Sequence, residues 1–189
     1  RPDKGFGMRV LHCLLGLIVL SFLVTLPEAK AAAQSDPLRI AFQQCSALKK
    51  KGQYDKAEPF CLKTLKLGED KFGSAHKNTG TFLYNLATLY RQQRRYATAE
   101  PLIKRSLVIR EKALGPNHRL VASTLNGLAL LYYQQGRYTT AEPLYKRSLA
   151  IMEKALRPNH PTVALSLNNL ATLYHNQGRY AAAEPLYKI

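Results

Sequence analysis

A tyrosine followed three residues later by Ala-Glu-Pro occurs four times in this 189-residue chain. The copies are Tyr54 with Ala57-Glu58-Pro59, Tyr96 with Ala99-Glu100-Pro101, Tyr138 with Ala141-Glu142-Pro143, and Tyr180 with Ala183-Glu184-Pro185. Each lies 42 residues after the one before. A unit of that size cannot bury its own apolar face and buries it against its neighbours instead. The chain therefore reads as a solenoid.

Further columns share the period. Leu83, Leu125 and Leu167 form one, Leu86, Leu128 and Leu170 a second, and Ala87, Ala129 and Ala171 a third. Leu89, Leu131 and Leu173 follow, then Tyr90, Tyr132 and Tyr174. Their steps of three and four trace one face of a helix. Gln135-Gly136-Arg137 and Gln177-Gly178-Arg179 read as turns, and a second apolar-periodic stretch follows each tyrosine. In the second repeat it stops at Leu114-Gly115-Pro116-Asn117-His118, where glycine, proline and a polar cap end one helix and start the next. Each repeat is thus expected to be two antiparallel helices. The alanine column marks where helices approach closely. The proline of Ala-Glu-Pro falls slightly late for a free first turn, which allows that turn to loosen.

The runs Leu125 to Tyr132, Gly136-Arg137-Tyr138 and Ala141 resemble the tetratricopeptide repeat, as do Leu167 to Tyr174, Gly178-Arg179-Tyr180 and Ala183. The 42-residue period, with Asn168-Asn169-Leu170-Ala171, resembles the kinesin-light-chain-type subgroup. The resemblance covers residues 36 to 189 and implies an all-α fold, a right-handed solenoid of antiparallel helix pairs. The expected units are an atypical first repeat at 34–77, a second at 78–119, a third at 120–161 and a truncated fourth at 162–189. Arg94 stands where the turn glycine is expected, and Gln44 and Cys45 replace the Leu-Ala pair in the first repeat.

Residues 8 to 33 read as an export leader. Met8 and Arg9 open it, Leu14 to Leu26 form its apolar run, and Ala31-Ala32-Ala33 offer a cleavage site before Gln34. Arg1 to Gly7 precede a plausible start methionine. The apolar run is short for a span, so export to a periplasm or to the outside is expected, with no stable membrane span after cleavage. The alternative is an anchor formed by an uncleaved leader. The last repeat stops midway through its second helix, which reads as a piece of a longer array.

The net charge is +16, of which residues 1–33 carry +2. Lys104, Arg105, Lys112, Lys146, Arg147 and Lys154 place much of it on the second helices. Such a surface favours acidic partners, anionic lipid or nucleic acid; it equally suits a solvated outer face. The chain lacks an arginine-glycine tract and stacked-aromatic motifs, which disfavours nucleic acid.

No phosphate-binding loop, zinc-protease motif, Cys-x-x-Cys or nucleophile elbow occurs. No catalytic residue, metal site, cofactor or small-molecule substrate is expected, and the chain does not read as an enzyme. His76, His118 and His160 share a column before each first helix, where they can cap free N–H groups. Glu58, Glu100, Glu142 and Glu184 sit near helix starts, where negative charge complements the macrodipole. Cys45 and Cys61 flank the first turn symmetrically. They suit either a disulfide in an exported protein or a pair of small core residues.

First helices line the concave side of such a stack. Their non-core positions carry Tyr84, Asn126 and Asn168, then Asn85, Gly127 and Asn169, then Thr88, Leu130 and Thr172, then Arg91, Tyr133 and His175. Asparagine both donates and accepts, so these columns can hold a peptide backbone. The resemblance implies the same use, since kinesin-light-chain-type repeats bind short peptide segments in this groove. The expected function is a protein-interaction scaffold for extended, acidic peptide segments. One alternative is a docking or sensor module whose catalytic domain follows Ile189. Another is a basic nucleic-acid-binding solenoid.

Overall fold

The computed structural model describes residues 36–156 and 160–187. The leader over residues 1–33, its cleavage site and residues 188–189 lie outside the described residues. The chain divides into units 1–40 and 41–189. In the first, Asp36 opens helix α1 (Pro37–Lys50): its carboxylate accepts the Leu38 N–H at 3.0 Å. The rest of α1 belongs to the second unit. There follow α2 (Tyr54–Phe72), α3 (Lys77–Gln92), α4 (Tyr96–Leu114), α5 (Arg119–Gln134), α6 (Tyr138–Ala155), α7 (Pro161–Asn176) and α8 (Tyr180–Tyr187). The described residues form no strand. The fold is all-α, built of helix pairs repeated along the chain.

The turn within each pair has one form. Gly52, Gly136 and Gly178 take positive φ of 69°, 73° and 74°. The N–H of the next residue then reaches back five residues: Gln53 to Leu48, Arg137 to Tyr132 and Arg179 to Tyr174, at 2.9–3.0 Å. This closes the free carbonyls of the first helix. Arg94 adopts the same conformation at φ 58°, and Arg95 N–H bonds to Tyr90 O at 2.8 Å. The geometry therefore survives without its glycine.

Between pairs, histidines start the first helices. The Nδ1 atoms of His76, His118 and His160 accept from the N–H groups of Asn78, Leu120 and Thr162 at 3.1–3.2 Å. The second helices begin at the repeated tyrosine. Pro59, Pro101, Pro143 and Pro185 are each their sixth residue, and the helix runs on through all four. The first turn is not loosened: Ala57, Ala99, Ala141 and Ala183 N–H bond back four residues at 3.0–3.1 Å.

The leucine columns are buried, and Ala87, Ala129 and Ala171 are fully so. Two buried serines join the helices of a pair: Ser106 Oγ donates to Gly80 O at 2.6 Å and Ser148 Oγ to Ala122 O at 2.8 Å. Cys45 and Cys61, both buried, are linked by a disulfide that ties α1 to α2 with Cα atoms 5.0 Å apart.

Successive pairs are latched by the motif's glutamate, which sits near its helix start as expected and also reaches into the next repeat. Glu58 accepts from Tyr90 Oη at 3.1 Å and from Arg95 at 2.8 Å, both in the next repeat. Glu100 accepts from Tyr132 at 2.8 Å and Arg137 at 3.3 Å, and Glu142 from Tyr174 at 3.1 Å and Arg179 at 2.7 Å. Each arginine also lies over its tyrosine ring, 4.1–4.3 Å from the centroid. The tyrosine column read as apolar is therefore two-sided, with a buried ring and a hydroxyl committed to the preceding repeat.

Candidate functional site

The first helices α1, α3, α5 and α7 lie side by side, and polar bonds cross every junction. Between α1 and α3, Lys49 Nζ donates to Thr88 Oγ1 at 2.7 Å and Asn85 O at 2.8 Å. Between α3 and α5, Arg91 Nη1 donates to Gln134 Oε1 at 3.0 Å. Between α5 and α7, Asn169 Nδ2 donates to Asn126 Oδ1 at 3.0 Å, and the Asn176 amide donates to Tyr133 Oη. The side-chain pairs of α3–α5 and α5–α7 are each 43 residues apart, one repeat plus one residue. The expected asparagine columns thus also serve to join the helices.

The ten expected groove residues divide accordingly. Asn168 and His175 are exposed, and His175 meets the Tyr180 ring at 5.1 Å. Thr172 donates to Asn168 O at 2.8 Å and accepts from Tyr187 Oη at 3.4 Å. Tyr133 lies 5.5 Å from the Tyr138 ring. Asn85, Thr88, Arg91, Asn126 and Asn169 are half-buried within the cross-helix bonds. Tyr84 is packed: its ring crosses Gly127, where an added Cβ would stand 2.7 Å from it, and its hydroxyl donates to Ser123 O at 3.3 Å. Gly127 is accordingly buried and offers no open surface.

Sequence reasoning missed Lys49, which precedes Arg91, Tyr133 and His175 by the same 42-residue step. Extending the column one repeat toward the N-terminus would have found it. Burial, with the nearby Arg91 guanidinium adding to it, pushes the Lys49 ammonium down to about 8. Neither cation has a carboxylate partner among the described residues, and Arg91 Nε is buried without a hydrogen bond. Beside them Arg91, Gln92, Arg94, Tyr96 and Gln134 line a cleft of about 410 Å³.

Charge is divided between the two helix sets. None of α1, α3, α5 and α7 contains an aspartate or glutamate. On the second helices, Glu69, Glu100, Glu111 and Glu142 are paired with Arg105, Lys104, Arg147 and Lys146 at 2.6–2.7 Å. Lys104, Arg105, Lys146 and Arg147 are therefore neutralised locally, while Lys49 and Arg91 on the first helices have no carboxylate partner among the described residues. Among the described residues no cluster of three or more potential ligands could hold a metal ion, and no helix is long and apolar enough to cross a membrane.

Comparison with solved structures finds the same helix-pair arrangement elsewhere. BtubC (BKLC) from P. vanneervenii superposes with a TM-score of 0.75 at 25% identity, over 86% of this chain and 67% of that one. The kinesin light chain repeats of Podosopora anserina give 0.72 at 23% identity, over 80% and 73%. A Rap protein complexed with competence and sporulation factor gives 0.70 at 16% identity, over 93% and 49%. A search of curated proteins found no match. The family model for the tetratricopeptide repeat matches residues 38–112, 80–154 and 120–188, so that the latched helix pairs, the glycine turns and the 42-residue step place this chain in the tetratricopeptide repeat family.

Proposed function

We propose that the first-helix face binds extended, acidic peptide segments, and that the protein is an exported interaction scaffold rather than a catalyst. One observation carries this reading. The four first helices hold no acidic residue, while Lys49 and Arg91 stand on them without a carboxylate partner among the described residues. A half-buried ammonium beside a guanidinium is costly, and an incoming carboxylate would relieve both the repulsion and the lost hydration. Asn85, Asn126, Asn168 and Asn169 would hold the peptide backbone; Lys49, Arg91, Tyr133 and His175 would select its side chains. The Rap relative, similar in fold, was solved as a complex with competence and sporulation factor.

The test is fluorescence anisotropy with labelled glutamate-rich peptides, starting with hexaglutamate. A micromolar Kd is expected, about −8 kcal/mol. Lys49→Met, and Asn126→Ala combined with Asn168→Ala, should each weaken binding about tenfold, while Lys146→Ala on the outer face should do little. Binding should also weaken as pH rises through about 8, because Lys49 then loses its charge; Lys49→Met should abolish that dependence. Loss of binding in Lys146→Ala with no effect of the groove variants would put the functional surface on the outer face.

A further inference from the structure

Arg110 stands at an unusual position. Its counterparts one repeat away on either side are Gly68 and Met152. At Gly68 the space is taken by the Phe82 ring, 2.4 Å from where a Cβ would be, and Met152 fills it as a buried apolar side chain. The second repeat places a guanidinium there that is 3% exposed. A charge in a core column, where the neighbouring repeats carry none, breaks the local rule that the rest of the array follows.

Every partner of this guanidinium is neutral. Nη1 donates to Thr124 Oγ1 at 2.6 Å and Leu120 O at 3.1 Å, and Nη2 to Thr81 Oγ1 at 3.2 Å. Nε is buried with no hydrogen bond. Three of five N–H donors are used. The cover over this group belongs to the first-helix face: the Tyr84 ring centroid lies 5.0 Å from the guanidinium carbon. Tyr84 is held there by the 3.3 Å bond to Ser123 O and by its fit over Gly127. Burial raises the Tyr84 phenol, and the charges of Arg110 and Arg91 act against that rise.

We propose that Tyr84 is a lid and that Arg110 beneath it is a second anionic subsite, in which a carboxylate side chain of the bound peptide takes the unused N–H donors once the ring swings aside. This rests on the peptide-binding reading above and adds a specificity-determining residue to it. A carboxylate can bridge two guanidinium donors at once, a geometry that neither a lysine nor a neutral acceptor reproduces. The subsite would favour peptides with one acidic side chain set apart from those that meet Lys49 and Arg91.

The experiment is an NMR titration of protein labelled with 15N at arginine, using hexaglutamate and, as control, hexaglutamine. The side-chain Nε–Hε signals of Arg110 and Arg91 are assigned by their loss in Arg110→Met and Arg91→Gln. The expected result is that both signals move with hexaglutamate and neither with hexaglutamine. Movement at Arg91 alone would leave the groove reading standing and overturn the subsite; movement at neither would overturn both. Arg110→Met should fold, because Met152 fills the same position in the next repeat, and should bind hexaglutamate about tenfold more weakly. Tyr84→Phe removes the bond to Ser123 and should bind more tightly. Unchanged or weaker binding in that variant would overturn the lid.

Discussion

Arg94 shows how one residue can be forced by its surroundings. Its φ of 58° is a conformation that glycine adopts freely and a side chain with a Cβ does not. The repeats on either side use Gly52 and Gly136 at the same point. Helices α3 and α4 must leave the turn at the angle their neighbours impose, so the backbone follows the array and not the local preference. Arg94→Gly should therefore stabilise the protein, by about 1 kcal/mol less the flexibility it adds to the unfolded chain. Thermal unfolding of the two proteins measures this, and a lower Tm in the variant would mean that the Arg94 side chain contributes more than its backbone costs. Lys49 presents the converse case. Its conformation is ordinary, but burial and Arg91 make its charge expensive, and that expense is what an acidic ligand could relieve.

At the scale of the helix, the first pair differs from the others. The later pairs have Ala87, Ala129 and Ala171 where α1 has Cys45, and Ile103 and Tyr145 where α2 has Cys61. A covalent link here replaces contact area that Cys61, smaller than Ile103 or Tyr145, does not supply. Opening it should destabilise the first pair by about 3 kcal/mol in the chain-entropy treatment, given the 16-residue separation. Hydrogen exchange with and without reductant should show faster exchange in α1 and α2, with α5 to α7 little changed. Uniform loosening would instead mean that the array unfolds as one cooperative body. Further along, the buried serines of the second and third pairs and the histidine caps of the later first helices satisfy groups that would otherwise be left open.

The whole array is held by the latches as well as by the core. The Lys104 ammonium, opposed by burial, holds Glu100 below the usual carboxylate range, as Lys146 does for Glu142. Burial alone would raise Glu58, but bonds from Arg95, Tyr90 and Gln93 outweigh it, so it too is lowered. A carboxyl whose folded value lies below its unfolded value contributes stability above the unfolded value, and that contribution disappears as pH falls through the folded one. All three act in the same direction, so the Tm should fall as pH drops below about 4.5. The triple variant Glu58→Gln, Glu100→Gln and Glu142→Gln should start less stable and show a shallower acid limb; an identical limb would mean that other carboxyls dominate. Export is tested on the intact protein from its host. Mass spectrometry of the soluble form should find an N-terminus at or near Gln34, and a retained Met8 would exclude cleavage.

Repetition made the architecture legible before any coordinates. The 42-residue step, the alternation of leucine and alanine columns and the glycine turns are local signals, each repeated, and together they suffice for a stack of helix pairs in the tetratricopeptide repeat family. Side-chain partnership was not legible in the same way. Glu58 meets Tyr90 and Arg95 across gaps of 32 and 37 residues, and nothing local to any of the three announces the others. The candidate groove shows the same limit. Its columns could be written down from spacing alone, yet packing decided that Tyr84 covers Gly127 and Arg110, and that Asn126 and Asn169 bond to each other. Periodicity says which face of its own helix a residue occupies. Only the tertiary structure decides which neighbour stands opposite, because that depends on how far each helix is rotated and shifted against the next.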